Sequence, residues 1–186
     1  LTFEPMPKMY FNDEIKNFRV SSQSQKIDLL KKMNVDFVIT KKFDKKFSKT
    51  KALNFIIEIL KKKLNSKFIF VSNNFRFGNN REGNVNLLIE NEKIYNYKVV
   101  KPKPLIKDKK IVSSSLIRNL LENGFLKKAN KLLDRNWSIE GIVQKGRQVG
   151  KKIGFPTCNI DIHDYVLAKQ GVYAVKVLRK NSTKYL

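Results

Sequence analysis

The sequence predicts an α/β fold in which a parallel sheet is followed by a smaller β-type region. Two short apolar runs, residues 35–40 and 67–72, flank an amphipathic helical pattern, and we expect both to be buried strands. This strand–helix–strand order with short connections is typical of parallel strands joined by right-handed crossovers. After Trp137 the helical spacing gives way to short β-type runs between glycine-rich turns. We therefore predict two domains, over residues 1–133 and 137–186.

The first elements follow from apolar spacing and from proline. Residues 1–4 indicate the end of a strand, and Pro5 and Pro7 then favour a turn or an extended loop. Residues 22–33 carry apolar side chains at helical spacing, which predicts a helix. Thr50 is a candidate cap for a second helix. The apolar face of that helix is predicted to hold Leu53, Ile56, Ile57, Leu60 and Leu64.

The rest of the chain alternates between loops and short elements. Loops are predicted over residues 78–83 and 101–110. Helices are predicted over residues 85–89, 113–123 and 125–133, the second of them closed by Gly124. Strands are predicted over residues 94–100, 138–143 and 171–178. The domain boundary is placed at residues 134–137, where the helical pattern ends.

Composition limits the class of protein. A chain of 186 residues with 41% hydrophobic residues can form one large or two small domains with a real core. The sequence has no secretory signal and no apolar run near the roughly 20 residues that cross a bilayer, so we expect a cytoplasmic protein without a membrane partner. Cys158 is the only cysteine, which excludes an internal disulfide and a cysteine-rich zinc site. The oligomeric state is left open.

The formal net charge of +23 suggests a nucleic-acid partner. Its basic residues, however, are spread along the whole chain instead of forming an arm or a stripe. Lysine also far outnumbers arginine, whereas direct reading of bases favours arginine. We therefore expect small-molecule partners and keep nucleic-acid binding as an alternative.

A polar and aromatic loop, residues 72–78, follows the second predicted strand. Ligands in open α/β sheets bind outside the carboxyl ends of the strands. Asn74 can read a ring edge or a ribose, and Arg76 can pair with phosphate. Phe75 and Phe77 can stack on a planar group. The alternative is a strand-to-loop corner whose two phenylalanines belong to the core.

A second candidate site lies at residues 112–118, where three serines precede a helical pattern. Free backbone N–H groups and the helix dipole favour an anion at the first turn of a helix. With Ser114 near the cap, Arg118 lies about one turn further on and leans over the same anion. The alternative is a plain serine cap with a solvated arginine. Because this helix follows the Asn74 loop in a parallel α/β domain, we favour the anion site.

The third candidate is the segment 145–159, in which three glycines four residues apart are mixed with four basic residues. Glycines let backbone amides approach an anion closely. Thr157 and Asn159 alternate, so on a strand their oxygen atoms face the same side. This combination suits a phosphate chain with a metal ion. The alternative is a glycine-rich hairpin with a solvated basic face.

Two further residues of this region are interpreted as structural. Cys158 lies between Thr157 and Asn159, so its side chain is predicted to point the other way, into the core, as a small hydrophobe. His163 is the only histidine and has no partner typical of a metal site, so we expect a surface or structural role.

Five segments in order resemble the bacterial bifunctional riboflavin kinase/FMN adenylyltransferase family, also called FAD synthetase. These segments are TFEPMP at 2–7, NFRFGNNREGN at 74–84, VSSSLIR at 112–118, GRQVGKKIGFPTCNI at 146–160 and GVYAVKV at 171–177. The similarity runs over essentially the whole chain.

The resemblance implies two domains and two reactions. Residues 1–133 would form a nucleotidyltransferase-type, Rossmann-like domain with a parallel sheet, which joins the AMP of ATP to FMN and gives FAD and pyrophosphate. Residues 137–186 would begin a small antiparallel β-barrel, the riboflavin kinase domain, which uses ATP and Mg²⁺ to convert riboflavin into FMN.

The resemblance also implies the binding residues. Those for ATP and FMN in the first domain are Asn74, Phe75, Arg76, Ser114, Ser115 and Arg118. Those for ATP in the second domain are Gly146, Arg147, Gly150, Lys151, Gly154, Thr157 and Asn159. Thr157 and Asn159 would in addition bind Mg²⁺.

The chain departs from the family pattern at several points. Met6 stands where the family often has histidine, Ser72 where it often has glycine, and Cys158 where it usually has alanine. The family's HxGH motif and the kinase's general-base glutamate are expected before Leu1 and after Leu186. We therefore expect an internal fragment that holds no catalytic residue and performs neither reaction at a useful rate. The rival hypotheses are another small-molecule nucleotidyltransferase and a basic nucleic-acid-binding protein.

Overall fold

The chain folds into two units in the computed structural model, which describes residues 1–146, 152–162 and 164–178. The first unit contains Leu1–Lys16 and Gln23–Val112. The second contains Asn17–Ser22 and Ser113–Leu186. The short segment Asn17–Ser22 therefore belongs to the second unit, although the residues on both sides of it belong to the first. This division follows contacts within the structure, and the domain boundary at residues 134–137 stays a prediction.

Short strands and short helices alternate in the first unit. Its strands are β1 (Thr2–Glu4), β2 (Thr40–Lys42), β3 (Phe68–Phe70), β4 (Arg76–Phe77), β5 (Gly83–Asn84), β6 (Lys98–Val100), β7 (Ile106–Lys107) and β8 (Lys110–Ile111). Its α-helices are α1 (Pro7–Tyr10), α2 (Gln23–Lys32), α3 (Lys45–Ser48), α4 (Ala52–Asn54), α5 (Val85–Glu90) and α6 (Glu92–Tyr95). A π-helix, Phe55–Lys63, continues directly from α4, and a 3-10 helix, Asn79–Arg81, lies between β4 and β5.

The strands pair in twos. β1 pairs with β2 and β3 with β6, both parallel, whereas β4–β5 and β7–β8 are antiparallel. The predicted mixed α/β architecture with parallel strands is therefore confirmed, in the form of small parallel pairs. One continuous sheet is not formed by the residues that the structure describes.

The core of the first unit differs from the predicted helix face. Ile56 and Leu88 are fully buried and pack with Phe55. Leu53, predicted on the buried face, is 45% exposed, while Ala52 is buried in its place. The prediction for Leu53 is wrong. Leu53 lies in α4, before the π-helix begins, and the buried residues recur at Ala52, Ile56 and Leu60, one position away from it.

The N-cap of α4 also differs from the prediction. Lys51 occupies the cap position and makes no side-chain cap bond, so Thr50 is not the cap. Thr50 instead uses its carbonyl oxygen, which accepts a hydrogen bond of 2.8 Å from the Asn79 N–H.

Two of the predicted buried strands are more exposed than expected. Over residues 35–40 the strand begins only at Thr40, and Phe37 is 84% exposed, so that prediction is wrong. β3 is confirmed as a strand, but only Ile69 is buried, while Phe68 and Phe70 are 65% and 66% exposed. Alternate side chains of a strand point to opposite faces. In β3 only the face that bears Ile69 is packed against the core.

The predicted strand over residues 94–100 is only partly a strand. Helix α6 extends to Tyr95, Asn96 takes a left-handed conformation with φ 55°, and β6 begins at Lys98. The predicted loop over residues 101–110 contains β7 and the start of β8.

Two helices dominate the second unit. They are α7 (Ser114–Glu122) and α8 (Leu126–Leu133), which agree with the predicted helices. The Ser113 hydroxyl caps α7 by accepting a 3.2 Å hydrogen bond from the Leu116 N–H. Gly124, at φ 78°, closes α7 as predicted. The core of this unit holds Ile117, Leu121, Ala129 and Val166.

The β-type region of the second unit is less extensive than predicted. Strand β9 (Val143–Gln144) pairs antiparallel with β10 (Asn159–Ile160). Residues 172–178 contain no strand, so the strand predicted over 171–178 is wrong within the described residues. A strand needs a neighbour for its backbone hydrogen bonds, and none lies beside this run in the described chain. The β-barrel therefore stays a prediction.

Among the residues that the structure describes, no helix has the length and apolar character that crossing a membrane requires.

Candidate functional site

The first candidate site is the loop between β3 and β4. The Ser72 hydroxyl donates a hydrogen bond of 2.9 Å to Asn74 Oδ1, and the Phe75 N–H donates one of 3.1 Å to the Ser72 carbonyl. These bonds define the turn while the side chains of Asn74 and Arg76 stay exposed. The loop thus presents an amide and a guanidinium just after a parallel strand, where α/β proteins bind ligands.

The two phenylalanines of this loop have different surroundings. Phe77 is buried, with its ring centroid 5.5 Å from that of Phe55 in the core. Phe75 is half-buried and stacks on Phe77 at 5.5 Å with an interplanar angle of 18°. The alternative that assigns the phenylalanines to the core is therefore the correct one for Phe77. Of the two rings, Phe75 is the one that stays partly exposed.

This loop is anchored by a side-chain hydrogen bond that the sequence pattern does not predict. Glu82 Oε1 accepts a 2.6 Å hydrogen bond from the Ala52 N–H at the start of α4. A Cβ atom at Gly78 would lie 2.7 Å from the Ala52 Cα, and one at Gly83 would lie 2.7 Å from the Ala52 Cβ. The two glycines on either side of Glu82 were the only local signal of this close approach.

The second candidate site is the first turn of α7. Ser113, not Ser114, is the N-cap residue. Arg118 Nη2 donates a 3.2 Å hydrogen bond to the Ser115 hydroxyl, so the arginine leans back over the first turn as expected. Burial lowers the pKa of Arg118, and the nearby Glu122 carboxylate opposes this shift. The guanidinium still stays charged, because arginine titrates far above neutrality.

The Arg118 guanidinium also lies against an aromatic ring. Its central carbon is 3.8 Å from the centroid of Phe18, within the range of a cation–π contact. The structure therefore brings Ser115 and Arg118 together, while Ser114 is exposed beside them. Asn74, Phe75 and Arg76 belong to the first unit, whereas Ser114, Ser115 and Arg118 belong to the second.

The third candidate site surrounds the β9–β10 pair. Asn159 lies opposite Gln144 in the ladder. A Cβ atom at Gly146 would overlap the Asn159 amide nitrogen, so the structure brings Gly146 and Asn159 into direct contact. Thr157 is exposed two residues before Asn159. Gly154 has φ +84°, and within the described part of the chain no atom lies within 4 Å of a Cβ added there.

Arg147, Gly150 and Lys151 of this candidate site, and the nearby His163, lie outside the described residues. Cys158 is described, and it is exposed, so the prediction of a buried cysteine is wrong. The physical reason is that Cys158 precedes a two-residue strand, and no described element packs over it.

The donor atoms of the third site are neutral oxygens. Among the described residues, no group of three or more His, Cys, Asp or Glu side chains could hold a metal ion. The Thr157 hydroxyl and the Asn159 amide oxygen are hard donors of the kind that Mg²⁺ accepts when phosphates and water complete its shell. The residues present therefore fit this ion.

By its fold, the chain is a mixed α/β protein built on small parallel strand pairs. Residues 1–116 match the family model described as FAD synthetase, and residues 133–186 match the model described as riboflavin kinase. The chain belongs to the FAD synthetase family, since the first match covers more than half of it. The predicted family is thereby confirmed.

Curated relatives carry both names. The chain is 39% identical over 178 residues to the bifunctional riboflavin kinase/FMN adenylyltransferase of Buchnera aphidicola subsp. Schizaphis graminum, covering 95% of this chain and 57% of that protein. It is 38% identical over 181 residues to the protein of this name from Haemophilus influenzae, covering 97% and 59%. It is 34% identical over 178 residues to the protein of this name from Escherichia coli K12, and the match covers 96% of this chain and 57% of that protein. The chain thus spans less than two thirds of these relatives.

A solved structure also has a similar fold. It comes from Streptococcus pneumoniae and is described as a macrolide-efflux protein. The TM-score is 0.73 at 25% sequence identity, and the match covers 94% of this chain and 57% of that one. This similarity supports the fold of the chain over nearly its whole length.

Proposed function

We propose that the chain is part of a bifunctional enzyme of flavin cofactor biosynthesis. Its first region would transfer the adenylyl group of ATP to FMN, giving FAD and pyrophosphate, and its second region would phosphorylate riboflavin with ATP, giving FMN. One observation carries this proposal: an FAD synthetase match over residues 1–116 is followed by a riboflavin kinase match over residues 133–186. We keep the domain boundary at residues 134–137 as part of this proposal; it lies at the start of the riboflavin kinase match, which begins at residue 133.

For adenylyl transfer, the described residues suit binding and charge stabilisation. Asn74 and Arg76 are exposed beyond a parallel strand, where a flavin or nucleotide would meet them. The contact of Arg118 with Ser115 supports a role in holding the phosphates of ATP. Phosphoryl and adenylyl groups need orientation and neutralised charge more than covalent help from the protein.

For the kinase reaction, we propose that β9 and β10 belong to a small antiparallel barrel that binds ATP. Gly146 lies in direct contact with the Asn159 amide, because the glycine has no side chain to occupy that space. Thr157 and Asn159 would hold Mg²⁺ together with the phosphates. The ion, when bound, would offset the negative charge of the nucleotide. A flavin enzyme with a single cysteine is also consistent with the cytoplasm, where we place it.

A flavin titration tests the proposal. Adding the purified chain to FMN should quench the flavin fluorescence in a saturable way, and Arg76→Gln should weaken this binding several-fold. Arg81→Gln is the matched control, because Arg81 is an exposed arginine of the same β4–β5 hairpin. Absence of saturable quenching would overturn the proposal. Tight duplex binding that persists in moderate salt would favour the nucleic-acid alternative instead.

A further inference from the structure

The segment Asn17–Ser22 is built firmly into the second unit. The N–H groups of Phe18 and Arg19 both donate to the Asp164 carbonyl, at 3.1 and 2.7 Å. The Val166 N–H donates in turn to the Arg19 carbonyl at 2.9 Å. The backbone around Phe18 is therefore held by three hydrogen bonds to residues 164–166.

Side chains add to this hold. The Trp137 indole N–H donates to the Val20 carbonyl at 2.9 Å, and Arg135 Nη2 donates to the Ser21 hydroxyl at 2.8 Å. Arg19 is only 7% exposed, and its Nε lies 3.3 Å from the Asp164 carboxylate. Each of residues 18–21 forms a hydrogen bond to another part of the unit, so the backbone that bears the Phe18 ring is held in place.

The Phe18 ring contacts Arg118, the arginine of the second candidate site. The guanidinium carbon of Arg118 lies 3.8 Å from the Phe18 centroid, and Arg118 Nη2 reaches the Ser115 hydroxyl at 3.2 Å. A free arginine side chain has many rotamers, and fixing them costs free energy when a ligand binds. Here the ring and the serine fix the guanidinium before any ligand arrives.

We propose that Phe18 is a positioning residue that holds Arg118 over the first turn of α7, ready for the phosphate oxygens of ATP. This inference rests on the proposed function of that turn. The three hydrogen bonds that fix Phe18 come from Asp164 and Val166, inside the region that matches the riboflavin kinase family. The orientation of Arg118 therefore depends on the backbone of that region.

Binding of ATP to Phe18 variants tests the role. Phe18→Leu removes the aromatic face and should weaken ATP affinity roughly three- to tenfold, as expected for a partly desolvated cation–π contact. AMP affinity should change less, because most of the phosphate charge is absent. Phe18→Tyr keeps the aromatic face and should restore wild-type affinity. In an Arg118→Gln background, Phe18→Leu should have no further effect.

The matched control is Phe125→Leu. Phe125 lies just before α8, and its ring centroid is 5.0 Å from Lys128 Nζ, so it forms a similar cation–π pair elsewhere in the second unit. This variant should bind ATP as the wild type does. An equal loss in both leucine variants would show a general packing effect and would overturn the proposal.

An NMR measurement on the wild-type chain needs neither ligand nor variant, so it tests the proposal even if a variant folds poorly. In the NMR spectrum of the wild-type chain, the Arg118 Nε–H resonance should be shifted upfield by the Phe18 ring and protected from exchange. An unshifted resonance would overturn the positioning role. If the chain binds FMN and ATP but Phe18→Leu leaves ATP affinity unchanged, this inference alone fails. If the wild type binds neither ligand, the proposed function and this inference fail together.

Discussion

Glu82 and Ala52 lie 30 residues apart in the sequence and are joined by a 2.6 Å hydrogen bond from the Ala52 N–H to Glu82 Oε1. Ala52 begins a helix, and the first N–H groups of a helix have no partner within it. Glu82 therefore caps this helix from a distant part of the chain. The same bond fastens the β4–β5 hairpin, whose first strand contains Arg76, to the core of the first unit.

Replacing Glu82 should loosen both the helix start and the hairpin. We expect Glu82→Ala to lower the free energy of unfolding by about 1–2 kcal/mol, typical of a lost helix cap, and to weaken FMN binding. Glu82→Gln keeps an acceptor oxygen and should lose less. Urea unfolding followed by far-UV circular dichroism measures the stability. Glu58→Ala is the control, because within the described residues Glu58 forms an exposed pair with Lys62 at 2.7 Å. Equal losses in the two alanine variants would contradict the capping role.

Two glycines with similar backbone angles should respond differently to alanine. Gly78 has φ +77°, and an added Cβ would lie 2.7 Å from the Ala52 backbone. Gly154 has φ +84°, but no atom of the described residues lies within 4 Å of an added Cβ. We expect Gly78→Ala to cost about 3 kcal/mol or more, because it adds a clash to the backbone strain, and Gly154→Ala about 1 kcal/mol from strain alone. Thermal unfolding of both variants checks this, and a larger loss at Gly154 would be the contrary result.

Elements fixed by local signals were predicted well from the sequence. Helix α7 has a serine cap, apolar residues at helical spacing and Gly124 at its end, and all three signals lie within a dozen residues. Arg118 was correctly placed over the first turn because a helix brings residues three apart to the same side.

Features that depend on distant contacts were missed. The cap from Glu82 to Ala52 spans 30 residues, and the glycines near Glu82 are its only local sign. Leu53 is exposed, although its spacing fits an α-helical face. Cys158 and Phe37 were predicted to be buried because they are apolar and lie in strand-like runs. Burial also requires an element that packs over the residue, and the composition of a run does not show whether one exists.

Gly146 and Asn159 provide a test of the third candidate site. A side chain at Gly146 would overlap the Asn159 amide, so Gly146→Ala should displace Asn159 and weaken binding of ATP with Mg²⁺. Titration of a fluorescent ATP analogue measures this, in an Arg118→Gln background that weakens the other nucleotide site. Gly171→Ala is the control, because its nearest neighbour would lie at an ordinary 3.8 Å. Unchanged affinity in Gly146→Ala would remove Asn159 from the proposed site.

Tyr97 should make the stability of the first unit depend on alkaline pH. Its side chain is 4% exposed, and its hydroxyl donates a 2.7 Å hydrogen bond to the Leu88 carbonyl. Burial, with a smaller contribution from the Glu92 carboxylate, raises the pKa of Tyr97 to about 12 from an ordinary value of 10.0. The fold therefore favours the neutral phenol, whose contribution is fully present below pH 10.0 and is lost as the pH rises through about 12.

A comparison of wild type with Tyr97→Phe isolates this effect from the other ionisable groups, which are the same in both proteins. At neutral pH the variant should be about 1 kcal/mol less stable, because it lacks the hydrogen bond to Leu88. Between pH 10.0 and about 12 the wild type should lose this advantage, since the unfolded chain ionises its tyrosine first and the variant has no phenol to ionise. Urea midpoints at several pH values measure the difference. If the gap between the two proteins stays constant up to pH 12, the Tyr97 hydroxyl is not protected by the fold.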